Sequence, residues 1–139
     1  MPLYTNHNST NLAGKISIQE PNTQNDFIFY SRLTDRFGEA SGEYILNYSI
    51  TTTKEDKAIN FDGTVHRIEI SGSVTFSLKD TASGLQIFSD EEEMYLSYSN
   101  FGSTAAVLNA DRTTNKQLVV LLADKVADRI SLILADQNP

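Results

Sequence analysis

The sequence predicts an α+β domain, a two-layer α/β sandwich in which two helices cover one face of a four-stranded, largely antiparallel sheet. Apolar residues recur every three or four positions in an early segment and again near the C-terminus. Between these segments they alternate with polar residues over a long stretch, as in half-buried strands. Two apolar helix stripes and one apolar sheet face are buried together when both helices lie on the same side of the strands. The predicted order is β-α-β-β-β-α.

Length and composition predict a single domain that is stabilised by packing, without disulfides. The 139 residues suffice for one hydrophobic core and are too few to predict two. Residues 1–11 are polar and aperiodic, which indicates a flexible tether, residues 12–136 form the predicted domain, and residues 137–139 are expected to fray. The formal charge of -7 disfavours binding to nucleic acid or to anionic membrane, because both need clustered cations. There is no cysteine, so disulfides and thiolate metal sites are excluded.

The first strand is predicted at Gly14–Gln19 and the first helix at Gln24–Phe37. Polar side chains at positions 22, 23 and 25 can cap the start of this helix, and Gly38 can end it. The predicted core stripe of the helix consists of Phe27, Tyr30, Leu33 and Phe37.

Three strands follow the first helix. Tyr44–Thr51 alternates with period two, and Ile68–Leu78 does so over an unusually long run. The sequence Asp80–Gly84 is typical of a hairpin connection. A fourth strand is predicted from Leu85 to about Tyr98, and the parity of its apolar residues shifts along its length, which predicts a bulge near Asp90.

The last helix is predicted to be long and amphipathic. Ser103 or Thr104 can cap its start. Its predicted apolar stripe consists of Leu118, Val119, Leu122, Val126, Ile130 and Ile133. With both helices on one sheet face, the other face is rich in Ser and Thr. This polar face is the predicted place for a partner, and ordinary solvation explains it equally well.

The residues that usually carry catalysis or bind cofactors are missing. Only two histidines exist, His7 in the tether and His66 at the start of the long strand. The acidic run Asp90–Glu93 lacks the spacing of a calcium loop, and alternate side chains of a strand point to opposite faces. Neither a GxSxG motif nor a phosphate-binding glycine loop is present. We therefore expect no enzyme activity, no cofactor and no metal site.

Five stretches of the chain resemble the LPS-assembly lipoprotein LptE family in its alphaproteobacterial form. They are Pro2-Leu3-Tyr4, then Leu12-Ala13-Gly14-Lys15-Ile16 with Glu20-Pro21, then Tyr30-Ser31-Arg32-Leu33, then Tyr48-Ser49-Ile50-Thr51-Thr52, and finally Asn100-Phe101-Gly102-Ser103-Thr104 leading through Asp111-Arg112 to Leu122-Ala123-Asp124. Their order and spacing cover nearly the whole chain. They also agree with the predicted β-α-β-β-β-α order.

The resemblance implies a subunit that plugs the LptD β-barrel of the Gram-negative outer membrane, helps to assemble it and aids insertion of lipopolysaccharide into the outer leaflet. The family's mature head is Cys-Gly-Phe-x-Pro-Leu-Tyr, of which this chain has Pro2-Leu3-Tyr4. We therefore expect the full-length protein to be a periplasm-facing lipoprotein of the outer membrane, with its signal peptide and lipidated cysteine removed here to leave a soluble form.

Lipopolysaccharide carries phosphates and acidic sugars, which favour basic contacts. The candidate ligand or partner contacts are Lys54, Lys57, His66 and Arg67 around the connection of the second and third strands, with Lys79 at the hairpin. Two alternatives stay open at this point. One is a periplasmic or secreted two-layer binding domain for another protein or a small ligand, and the other is an enzyme that uses the acidic run around Glu92 with a metal.

Overall fold

A computed structural model describes residues 15–38, 42–58 and 66–137. Its elements are β1 (Ile16–Ile18), α1 (Gln24–Phe37), β2 (Tyr44–Ala58), β3 (His66–Asp80), β4 (Gln86–Ser99) and α2 (Thr104–Gln137). The predicted order and the α+β sandwich class are therefore confirmed. The predicted tether of residues 1–11 lies outside the described residues, and α2 includes Gln137, the first residue of the predicted tail.

The four strands form one mixed sheet in the order β1-β2-β3-β4. The short β1 pairs with β2 in parallel, and the two long contacts of β3 with its neighbours are antiparallel. Except at the pair of Lys79 with Gln86, even-numbered residues lie opposite even-numbered residues. From Phe88 onward in β4, and throughout β2 and β3, one face therefore carries the even positions and the other face the odd positions. This parity decides where every functional side chain of the sheet lies.

Helix α1 has the bounds that the sequence predicted. Thr23 caps its start, because its hydroxyl oxygen accepts a hydrogen bond from the Asp26 amide at 3.0 Å. Gly38 ends it with a φ of 79° and an amide that donates to the Thr34 carbonyl. The predicted stripe is wrong in one member, since Phe27 is 57% exposed and Phe29 is buried.

Both helices lie on the even face of the sheet. The ring of Phe29 on α1 lies 4.7 Å from that of Tyr48 on β2. A Cβ added to Gly72 of β3 would lie 3.0 Å from side-chain carbons of Leu118 and Leu122 on α2, so this glycine allows the helix to approach the strand closely. The helices and the even face enclose one hydrophobic core.

Most of the predicted stripe of α2 is buried, and Leu134 takes the fully packed place expected for Ile133. The hydroxyl of Ser103 accepts a hydrogen bond from the Ala106 amide at 3.1 Å and so caps the helix. With 34 residues, α2 is roughly 50 Å long and spans the length of the sheet.

The β3–β4 hairpin follows the predicted turn but not the predicted bulge. Gly84 adopts a φ of 72°, and its amide donates to the Asp80 carbonyl at 2.8 Å. The register shifts between Leu78 and Lys79, opposite the start of β4, whereas Asp90 pairs regularly with Phe76. The prediction of a bulge near Asp90 is therefore wrong, because the strand register shifts before Phe88.

Candidate partner-binding face

The odd face of the sheet lies on the side opposite the helices, and we call it the open face. Its centre consists of Ser49, Thr51, Thr53, Ser71, Ser73, Thr75, Ser77 and Ser89, all at odd positions of β2, β3 and β4. Each hydroxyl can both donate and accept a hydrogen bond. The centre of the face therefore presents an uncharged, adaptable polar surface.

The open face carries two shallow troughs. One trough of about 600 Å³ is lined chiefly by Thr51, Thr53, Ser71 and Ser73, with Glu93 and Tyr95 at its β4 side. A second trough of about 600 Å³ follows along the strands, lined by residues that include Asn47, Ser49, Thr75, Ser77 and Glu91. Open, shallow troughs of this extent suit an extended protein surface better than a small molecule, which is usually held in an enclosed pocket.

Two of the predicted contacts, Lys57 and Arg67, lie together on the open face. They are direct cross-strand neighbours of β2 and β3. Lys57 Nζ lies 3.4 Å from a carboxylate oxygen of Glu69, and Arg67 Nε donates to the Ser97 hydroxyl at 3.3 Å. At this end of the face, Lys57 is therefore paired with a carboxylate, whereas Arg67 binds an uncharged hydroxyl.

The other three predicted contacts do not join that pair. Lys54 and His66 have even parity and lie on the helix side of the sheet. His66 Nδ1 lies 2.9 Å from a carboxylate oxygen of Asp56. Lys79 lies twelve residues from Arg67 along β3, a distance of about 40 Å. The five residues thus form no single basic patch.

Lys54 takes part in a network that holds α2 against the sheet. Its Nζ lies 2.8 Å from a carboxylate oxygen of Asp111, and the Tyr98 hydroxyl donates to the same carboxylate at 2.8 Å. Burial raises the pKa of Tyr98 to about 12, and its hydrogen bond to Asp111 adds to the shift. Burial alone would raise the pKa of Asp111, but the hydrogen bonds from Lys54 and Tyr98 outweigh it and lower this pKa.

The acidic run of β4 is divided between the two faces. Asp90 and Glu92 point to the helix side, where Arg129 Nε lies 2.9 Å from Asp90 and Lys125 Nζ lies 3.8 Å from Glu92. Glu91 and Glu93 are exposed on the open face. The division agrees with the alternation of strand side chains that, from the sequence, argues against a calcium loop.

Neither a metal site nor a membrane-spanning helix is found in the described part of the chain. Among the described residues, no three His, Asp or Glu side chains converge as metal ligands. Over the same residues, neither helix has an apolar stretch long enough to cross a bilayer. The absence of enzyme activity stays a prediction.

No protein-family model matches this chain, and no curated protein matches it. A candidate lipoprotein of Caulobacter crescentus CB15 superposes with a TM-score of 0.73 at 16% identity, over 93% of this chain and 96% of the other. Rare lipoprotein B of Shewanella oneidensis gives 0.68 at 13% identity, over 90% and 98% of the two chains. A minor lipoprotein of Acinetobacter baumannii gives 0.62 at 19% identity, over 86% and 91%. The chain has the fold of these bacterial lipoproteins.

Proposed function

We propose that this chain is a non-enzymatic subunit of lipopolysaccharide transport at the outer membrane. In this role it plugs an LptD β-barrel, helps to assemble it and aids insertion of lipopolysaccharide into the outer leaflet. The resemblance of five stretches to the LptE family supports the proposal, and so does the fold shared with bacterial lipoproteins. By the same resemblance, the full-length protein is held at the membrane through an N-terminal lipid and faces the periplasm.

The open face carries the proposal. The interior wall of a large outer-membrane barrel is polar, so a subunit held inside it needs a polar contact surface. The centre of the open face offers hydroxyls without charges, from Ser49 on β2 to Ser89 on β4. Hydroxyls adapt to donors and acceptors alike and carry a small desolvation cost compared with charges.

Site-specific photo-crosslinking tests this assignment. A photoreactive residue replaces Thr51 or Ser73 on the open face in the full-length protein of the native bacterium, and a control carries it at the exposed Leu132 of α2. We expect the open-face probes to yield an adduct with a large outer-membrane barrel protein, and the α2 probe to yield much less. Depletion of the chain should lower lipopolysaccharide at the cell surface.

Two outcomes would contradict the proposal. Adducts with a soluble periplasmic protein in place of a barrel would assign the chain to a different binding role. Unchanged surface lipopolysaccharide after depletion, verified by loss of the chain from the envelope fraction, would exclude the transport function.

A further inference from the structure

The outer edge of β4 presents a row of backbone groups that no strand of the described residues pairs. β4 is the last strand of the sheet. The Asn100 amide, just beyond β4, donates inward to the His66 carbonyl of β3, whereas the Glu93 carbonyl accepts from Lys125 Nζ at 3.0 Å on the outer side. Since neighbouring residues of a strand direct their backbone groups to opposite sides, the odd residues from 89 to 99 direct theirs outward. No strand pairs with this edge in the part of the chain that the structure describes.

Among the same odd residues, Glu91 and Glu93 carry negative charges that no cation of the described residues pairs. α2 neutralises the helix-facing carboxylates of Asp90 and Glu92 through Arg129 and Lys125. Glu91 and Glu93 are exposed, and no cation of the described ranges lies within 4.0 Å of their carboxylates. The outward backbone groups and the unpaired charges therefore belong to the same residues.

We propose that the outer edge of β4 binds an extended segment of a partner protein with basic side chains at alternate positions, which adds to the sheet as a fifth strand. Alternate residues of a strand are about 7 Å apart on one face, so two basic side chains spaced by one residue fit Glu91 and Glu93 together. Opposite charges on directly opposed residues stabilise neighbouring strands. Strand addition at an open sheet edge is a general mode of peptide recognition.

The charge pattern also selects the occupant. Two copies of β4 placed edge to edge would bring their acidic runs together, and like charges facing each other across strands are destabilising. Lys125 Nζ donates to the Glu93 carbonyl and the Glu91 amide donates to the Asp90 carboxylate, so an incoming strand has to replace these two side-chain contacts. The edge is thus closed to its own copy and open to a basic strand.

A direct test uses the full chain and a fluorescent peptide of about nine residues with alternating Lys and Thr. We expect salt-sensitive binding, measured by fluorescence anisotropy, that weakens about tenfold in the variant with Glu91→Gln and Glu93→Gln. The control variant carries Glu20→Gln and Glu43→Gln, which removes two exposed charges away from β4. It should change the dissociation constant less than about twofold. An equal loss of affinity in both variants would show that binding depends only on the net charge of the protein, and it would overturn the proposal.

Backbone pairing is tested separately. A peptide of the same sequence with alternate amides N-methylated keeps its charges but cannot add as a strand, so it should bind at least about tenfold more weakly. Hydrogen exchange at the amides of Glu93 and Tyr95 should be fast in the free protein and slow with the unmodified peptide. Equal binding of both peptides, or slow exchange in the free protein, would overturn the proposal, the latter because the edge would already be occupied. Neither readout depends on the barrel, so failure here leaves the proposed transport function standing.

Discussion

The two faces of β3 show how one strand can serve stability and recognition at once. On the even side, Ile70, Val74 and Leu78 are completely buried beneath the helices. On the odd side, their neighbours Ser71 and Ser73 lie on the open face. Because side chains alternate with period two, a change of one position moves a substitution from the core to the partner surface. Substitutions at even positions should therefore change stability, and substitutions at odd positions should change binding. On the helices, substitutions that face the core should likewise cost more stability than substitutions that face the solvent.

The largest expected effect is on stability, from the core side of α1. Phe29 is completely buried against Tyr48, so Phe29→Ala should lower the free energy of unfolding by about 3 to 5 kcal/mol. Phe27→Ala, two residues earlier, is the matched control, and it should cost less than about 1 kcal/mol since Phe27 is 57% exposed. Urea unfolding followed by circular dichroism measures both. Equal losses would mean that Phe27 is covered in solution.

Gly72 gives the next largest effect because it lies where α2 is closest to the sheet. In Gly72→Val the new Cβ lies 3.0 Å from carbons of Leu118 and Leu122 before the two methyl groups are counted. We expect a loss of about 2 kcal/mol from overpacking. Ser71→Val, on the open face of the same strand, should be neutral or slightly stabilising because valine favours strands. A stable Gly72→Val variant would show that α2 can move away from β3 freely.

Tyr48 should make the protein sensitive to alkali. Burial, with the nearby Asp26 carboxylate as a lesser cause, raises the pKa of Tyr48 to about 12. A pKa raised in the folded state contributes stability below pH 10 that is lost as the pH rises towards 12. The expected loss is roughly 1 to 2 kcal/mol, and Tyr98 adds its own part in the same window. Tyr48→Phe should lose less stability between pH 9 and pH 12 than the parent does, in urea titrations at each pH. An identical pH dependence would contradict the assignment.

Asp124 should give a smaller effect with the opposite pH dependence. Its carboxylate accepts hydrogen bonds from Arg32 at 2.8 Å and from Arg36 at 3.1 Å, which join α1 to α2. These bonds outweigh burial and lower the pKa of Asp124, so its stabilising contribution is present at neutral pH and is lost as the pH falls below about 4. Asp124→Asn should cost about 1 kcal/mol at pH 7 in low salt.

The control for this network is Asp128→Asn. Asp128 binds only Arg36 among these groups, and its side chain is 68% exposed. Its removal should change stability by less than about 0.5 kcal/mol. The Asp124→Asn variant and the parent should have the same free energy of unfolding below pH 3. A difference that persists there would mean that the substitution acts through packing and not through charge.

The sequence predicted the fold class, the element order and both ends of α1, because these depend on local periodicity and capping. It misplaced Phe27 because this residue lies three positions before Tyr30, whereas Phe29 lies four before Leu33 and eight before Phe37 and so fits the buried stripe better. The contact of Phe29 with Tyr48 agrees with that spacing. The prediction of the partner surface relied on the parity of the Ser and Thr residues. The ion pair of Asp90 with Arg129 could not be predicted from the sequence, because the two residues are 39 positions apart and no local pattern relates them.

Parity was available for the candidate site and was not applied to its charged residues. Lys54 and Lys57 are both basic residues near the end of β2, and their numbers alone place them on opposite faces once the strand is known. The same holds for His66 and Arg67 on β3. The predicted contact set was grouped by distance along the chain, and it therefore combined side chains that lie on opposite faces of the sheet. The unpaired charge of Glu91 and Glu93 needed the structure, because only the position of α2 shows which carboxylates of the run are neutralised.

The smallest expected effect on stability accompanies the largest expected effect on binding. Ser73→Lys places a charged side chain in the centre of the open face and should change the free energy of unfolding by less than about 0.5 kcal/mol. It should nevertheless abolish the crosslink from Thr51, because the partner would have to desolvate the new charge. Val74→Thr, the next residue, should show the reverse, with an intact crosslink and a loss of about 1 to 3 kcal/mol for a hydroxyl in the core. If the crosslink survives Ser73→Lys, the polar residues of this face serve solvation alone and the partner binds elsewhere.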